Sequence, residues 1–133
     1  MVSIRPRHVL RLLAPVFFIV GALHVLMGLS AEVLLGAQLP QQILGDPALD
    51  SQNRFYGAAF TVYGVLFLFG AADFQRYRPI VLAAVWTFFA AGLARTAAAV
   101  MTGIPPFPVL LLWAIELILP PVLAWWLRRQ PDA

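Results

Sequence analysis

Residues 107–127 read FPVLLLWAIELILPPVLAWWL, an apolar run broken by a single charge, Glu116. A helix needs roughly 17–25 such residues to cross a bilayer. A helix that is apolar on every face is a buried or membrane helix, because a surface helix keeps a polar side. Working back toward the N-terminus, three more runs of this kind lie at about 12–29, 55–72 and 79–101. Between the four runs come a long connection at 30–54, a short link at 73–78 (DFQRYR) and a tight one at 102–106 (TGIPP). The predicted fold is all-α: a polytopic membrane protein, residues 1–133 forming a single four-helix transmembrane bundle.

Composition supports the same class. The chain has 133 residues, 62% hydrophobic and 11% charged, with a mean hydropathy of +0.85. A soluble domain is roughly a quarter charged, and so much apolar surface would not stay dispersed in water. Disorder is excluded by the same figures. Cysteine is absent, which removes disulfides, thiolate metal sites and cysteine nucleophiles. The nine basic residues are all arginine. They lie mostly at the ends of apolar runs and form no patch on a soluble face, so no nucleic-acid partner is expected.

Arginine placement predicts orientation. Arg5, Arg7 and Arg11 precede the first run, Arg76 and Arg78 separate the second from the third, and Arg128 and Arg129 follow the fourth. With four spans these places share one face, together with Asp73 and Asp132. The other face carries Glu32, Asp46, Asp50 and Arg54. The positive-inside rule then puts both termini in the cytoplasm, as a multi-pass protein of the inner membrane. Trp125, Trp126 and Tyr77 suit an aromatic belt at that interface. Basic residues before an apolar run also describe a signal peptide, but the first run exceeds the usual core of roughly 7–15 residues. Gly28-Leu29-Ser30 is a poor cleavage site, so an uncleaved helix is expected. The 30–54 connection is either an interfacial helix that dips Leu34, Leu35 and Ile43 into the headgroups, or a loop capping the bundle.

Three ionisable groups of the Arg, His or acid type fall inside the runs: His24, Arg95 and Glu116. Such residues are expensive in a membrane, pair with one another and face the bundle interior. At a rise of about 1.5 Å per residue, His24 and Arg95 lie roughly 8–10 Å from the outer end of their helices. Glu116 and Tyr63 lie about 13–14 Å down by the same rise. Arg54 and Tyr56 stand at the outer mouth of the second span. Arg95 and Glu116, on antiparallel neighbours, are expected to form an ion pair. That pair is either a register lock or, with His24, Tyr63 and Arg54, part of an outward-opening polar pocket.

Pro120 and Pro121 take the backbone donors from the carbonyls of Glu116 and Leu117. The result is a packing kink or an opened backbone beside the acid. His24 lies between Gly21 and Gly28 on one small-residue face, where a histidine is a hydrogen-bonding group, a ligand or a base. Without a second histidine nearby no metal is expected, and nothing implies a cofactor. Gly92-x-x-x-Thr96 in the third span and Gly57, Thr61 and Gly64 in the second are expected helix contacts, within the bundle or between protomers.

The ordered series Asn53-Arg54-Phe55-Tyr56-Gly57, Gly64, Gly92-Leu93-Ala94-Arg95, Gly103-x-Pro105 and Glu116 resembles a family of small bacterial four-helix integral membrane proteins defined as a domain of unknown function. More loosely it is similar to the DoxX and DoxD bundles. Ala58 stands where such families commonly carry a second glycine. The resemblance implies the fold and points at Arg54, Tyr56, Arg95 and Glu116; it implies no reaction.

Three functions follow as expectations. The first is binding of a small apolar or amphipathic ligand by Arg54, Tyr56, Tyr63, Arg95 and Glu116. Any catalysis there would use Glu116 as acid/base, with Arg95 tuning it and His24 assisting. The second is an accessory subunit of a larger membrane complex or a homo-oligomer. The third is a small proton-coupled transporter around Glu116, although the exporters of that kind carry their acid on the first helix.

Overall fold

The computed structural model describes residues 5–130; Asp132, assigned above to the arginine-rich face, lies outside them. The described chain is helical throughout: α1 (Pro6–Met27), α2 (Ser30–Leu34), α3 (Gln41–Leu44), α4 (Pro47–Ala72), α5 (Phe74–Thr102) and α6 (Phe107–Arg128). Of these α1, α4, α5 and α6 are long and apolar enough to span a membrane, as in a multi-pass membrane protein. Their outer faces are greasy: Leu12, Leu26, Val100 and Met101 are all at least three-quarters exposed.

Three of the four long helices begin earlier than their apolar runs, and only α6 starts where its run does, at Phe107; a helix start is set by backbone donors and not by hydropathy. The clearest case is α4, which starts at Pro47 and not near 55. Asp46 Oδ1 accepts from the backbone N–H of Ala48 (2.8 Å) and Leu49 (3.1 Å), and Pro47 supplies the preset φ of a first helical position. The expected 73–78 link is likewise helical apart from Asp73, which caps α5 by accepting from Arg76 N–H at 3.1 Å. At the other end α1 stops at Met27, two residues short of the expected 29.

That stop has a local cause. Gly28 adopts φ 55° and ψ −136°, a region costly for any residue with a Cβ. The Arg54 guanidinium donates to the last α1 carbonyls, Val25 (2.6 Å) and Leu26 (3.1 Å). It also pairs with Asp50 at 2.7 Å, and Asp50 in turn accepts from Leu29 N–H at 3.0 Å. A cation on carbonyls at a helix C-terminus is a favourable cap. Gly28→Ala is therefore expected to lose about 1–3 kcal/mol of stability through backbone strain, read as a lower melting temperature in detergent. A variant that melts with the wild type would show that the turn is relaxed.

The helices pack as two pairs, α1 with α4 and α5 with α6, bridged by α4 against α5. Glycine sets the closest approaches: a Cβ on Gly57 would stand 2.7 Å from His24 Cβ and 2.8 Å from the Gly21 carbonyl. One end of the bundle gathers the arginines, with the Arg78 guanidinium donating to the Arg128 carbonyl at 2.6 Å and Arg129 stacked 4.0 Å over Trp125. The buried core lies toward that end, built from Leu10, Phe17, Phe67, Val81, Val85 and Leu127 among others. Phe17 closes it, its ring 5.0–5.4 Å from those of Phe60, Tyr63, Phe67 and Phe88. In the other half α1 and α6 are not in extensive contact.

Candidate functional site

The gap between α1 and α6 is a cavity of about 580 Å³, within the size range of small-molecule sites. Its walls are apolar: Val16 and Val20 come from α1, Phe60 from α4, and Leu112 and Leu119 from α6. Phe17 and Phe88 form its floor, the same rings that close the core beneath. Five polar side chains reach it, each from a different helix: His24, Glu32, Asn53, Arg95 and Glu116. Tyr56 also borders it, although half its surface is exposed and its hydroxyl is held by the Gln52 amide at 2.7 Å.

Glu116 is the deepest of the group, 3% exposed. Arg95 Nε donates to its Oε2 at 2.8 Å, so the ion pair expected from the sequence is formed. The pair exists because α5 and α6 approach closely at Gly92, where a Cβ would meet Glu116 Cβ at 3.0 Å. One turn further along, Trp113 Nε1 donates to Thr96 Oγ1 at 3.0 Å and ties the same two helices again. The two members differ in setting: the Arg95 side chain is 44% exposed and that of Glu116 only 4%. Among the described residues Glu116 Oε1 has no hydrogen-bond partner.

On the opposite wall His24 Nδ1 donates to the Val20 carbonyl at 2.8 Å. That bond engages one ring nitrogen and leaves Nε2 for the other side of the ring. Nε2 faces Glu32 Oε1 at 3.4 Å, and the same oxygen accepts from Asn53 Nδ2 at 3.0 Å. The Asn53 amide is thereby oriented. Its Oδ1 is buried without a partner among the described residues.

Glu32 and Asn53 were not expected here, since both belong to the 30–54 connection. The structure divides that stretch. Glu32 and Leu35 lie over the cavity, and Gly36, at φ 94°, folds against Pro106 of the α5–α6 turn. Leu34 and Ile43 remain exposed. Two expected site residues are absent from the cavity: Arg54 is the cap on α1, and Tyr63 packs in the aromatic cluster below the floor. No three His, Asp or Glu side chains gather as metal ligands would among the described residues. Pro120 is fully buried within a continuous α6.

An apolar helical bundle that closes on itself at one end and encloses a polar-studded cavity toward the other defines the class of protein. Within that class the chain belongs to the family described as Domain of unknown function (DUF4345), whose family model matches residues 6–127. No curated protein matches the chain, and no solved structure matches it.

Proposed function

We propose that this protein binds a small apolar or amphipathic molecule in the cavity between α1 and α6. On this reading it sits in a bacterial inner membrane with the arginine-rich end and both termini in the cytoplasm, and the cavity opens in the outer half. The looser likeness to the DoxX and DoxD bundles belongs to this proposal as well. One observation carries it: an apolar space of about 580 Å³ into which five polar side chains project. A bundle selected only for packing would fill that space, because each void forfeits contacts on its lining. A role for Arg95 and Glu116 as a register lock alone also leaves unexplained the buried, unpaired Asn53 Oδ1 at the same cavity. The separation of α1 from α6 gives a hydrophobic molecule a route from the lipid. The proposal is for binding alone.

Filling the cavity tests it. Val20→Phe with Leu112→Trp adds bulk from both walls at positions only partly buried. The double variant is expected to fold with a melting temperature at or above that of the wild type while losing at least tenfold in ligand occupancy. Unchanged occupancy would overturn the proposal. Co-purification of the wild type with a fixed set of larger membrane partners, with occupancy indifferent to the substitutions, would favour the accessory-subunit role.

A further inference from the structure

Two acceptors at this cavity lack a partner among the described residues. Glu116 takes its bond from Arg95 at Oε2, which leaves Oε1 without a protein donor on a side chain that lines the cavity. Asn53 Oδ1 is buried and unpaired, its amide orientation fixed by the bond from Nδ2 to Glu32. His24 is not among them, since Nδ1 is spent on Val20 and Nε2 already faces Glu32 Oε1 at 3.4 Å. Against these stand the terminal nitrogens of Arg95, whose Nε is engaged by Glu116. Buried acceptors left unmatched are costly, so a complementary ligand must bring a donor. Next to Arg95 it must also offer an acceptor.

Charge narrows the class further. At Glu116 an anionic headgroup meets a carboxylate whose guanidinium is already engaged, while Glu32 is held by Asn53 and His24 on the opposite wall. A cationic headgroup finds Glu116 already neutralised by Arg95, and its own charge must leave water without a free counter-ion at that acid. A hydroxyl is uncharged and both donates and accepts. We infer that the ligand is an uncharged amphiphile with a hydroxyl at its polar end, the O–H donating to Glu116 Oε1 while its oxygen accepts from Arg95. Its hydrocarbon body lies between α1 and α6 against Val16, Val20, Leu112 and Leu119. This rests on the reading of the cavity as a ligand site.

The test uses the whole protein in detergent, with four compounds of one chain length read as adducts by native mass spectrometry: 1-tetradecanol, its methyl ether, tetradecanoate and tetradecylamine. The alcohol is expected to occupy the site at least tenfold better than the ether, which can only accept, and better than either charged compound. The Arg95→Met/Glu116→Leu double variant is expected to bind alcohol and ether alike. Equal binding of alcohol and ether by the wild type overturns the hydroxyl assignment while leaving the cavity a ligand site. Tetradecanoate or tetradecylamine binding as well as the alcohol overturns it also. If none of the four binds above the level of the Val20→Phe/Leu112→Trp variant, the ligand-site reading falls together with the assignment.

Discussion

Arg95→Ala is expected to destabilise the protein by about 3–5 kcal/mol, the usual consequence of leaving one member of a buried ion pair alone. Glu116→Ala is expected to cost markedly less. The asymmetry follows from burial and reach. Without arginine, the carboxylate of Glu116 stays 4% exposed among apolar neighbours, on a stem too short to find water. Without glutamate, the half-exposed arginine can swing its long stem toward the near end of the bundle, although an arginine within a span still carries a cost. Removing both charges, as in Arg95→Met/Glu116→Leu, is expected to restore most of the loss, because a buried pair replaced by apolar residues of similar size is commonly neutral or better. Unfolding in mixed micelles, read by circular dichroism, measures all four proteins on one scale. A double variant as unstable as Arg95→Ala would show that the pair is needed for folding, and a functional account of it would lose its ground.

Gly57→Val is expected to have the second largest effect, and on both stability and site geometry. Even a methyl at Gly57 would press 2.7 Å from His24 Cβ and 2.8 Å from the Val25 nitrogen and the Gly21 carbonyl. Two of those neighbours are backbone and cannot turn aside, so α1 must move away from α4. Overpacking of this kind costs about 1–3 kcal/mol, and the branched valine falls at the upper end. Because His24 rides on the displaced face, the wall that positions it against Glu32 shifts as well. The variant is expected to lose ligand occupancy even where it remains folded. Gly45→Ala is the control, since a Cβ there meets nothing closer than 3.5 Å. A Gly57→Val protein with native melting and native occupancy would contradict the crossing described here.

The four spans were legible because hydropathy depends on composition over a long window, and nothing in the tertiary structure can hide it. The N-terminal extension of α4 was signalled by Asp46-Pro47, a cap and first-turn pair outranked by the polarity of residues 50–54. The site was legible in part, for a geometric reason. Depth along a helix can be counted from the sequence, whereas direction around it depends on which face meets the neighbours. Asn53, Tyr56, Gly57 and Phe60 follow one another at offsets of three, four and seven, and they form the stripe that borders the cavity. Arg54, one residue on, is turned about 100° away and reaches the end of α1 instead. Tyr63 continues the stripe but lies one turn below the floor, against Phe17 and Phe88. The scarce membrane charges gave His24, Arg95 and Glu116. Glu32 carried no comparable signal, since an acid in a connection is ordinary until the connection is seen to fold over the bundle.

The central claim is that the space between α1 and α6 is a ligand site, and a native mass spectrum of the detergent-extracted protein tests it most directly. The wild type is expected to carry one discrete small molecule per chain, retained after the annular phospholipids are stripped and missing from the Val20→Phe/Leu112→Trp variant. A wild-type spectrum showing only the bare chain, or adducts identical in the filled variant, would contradict it.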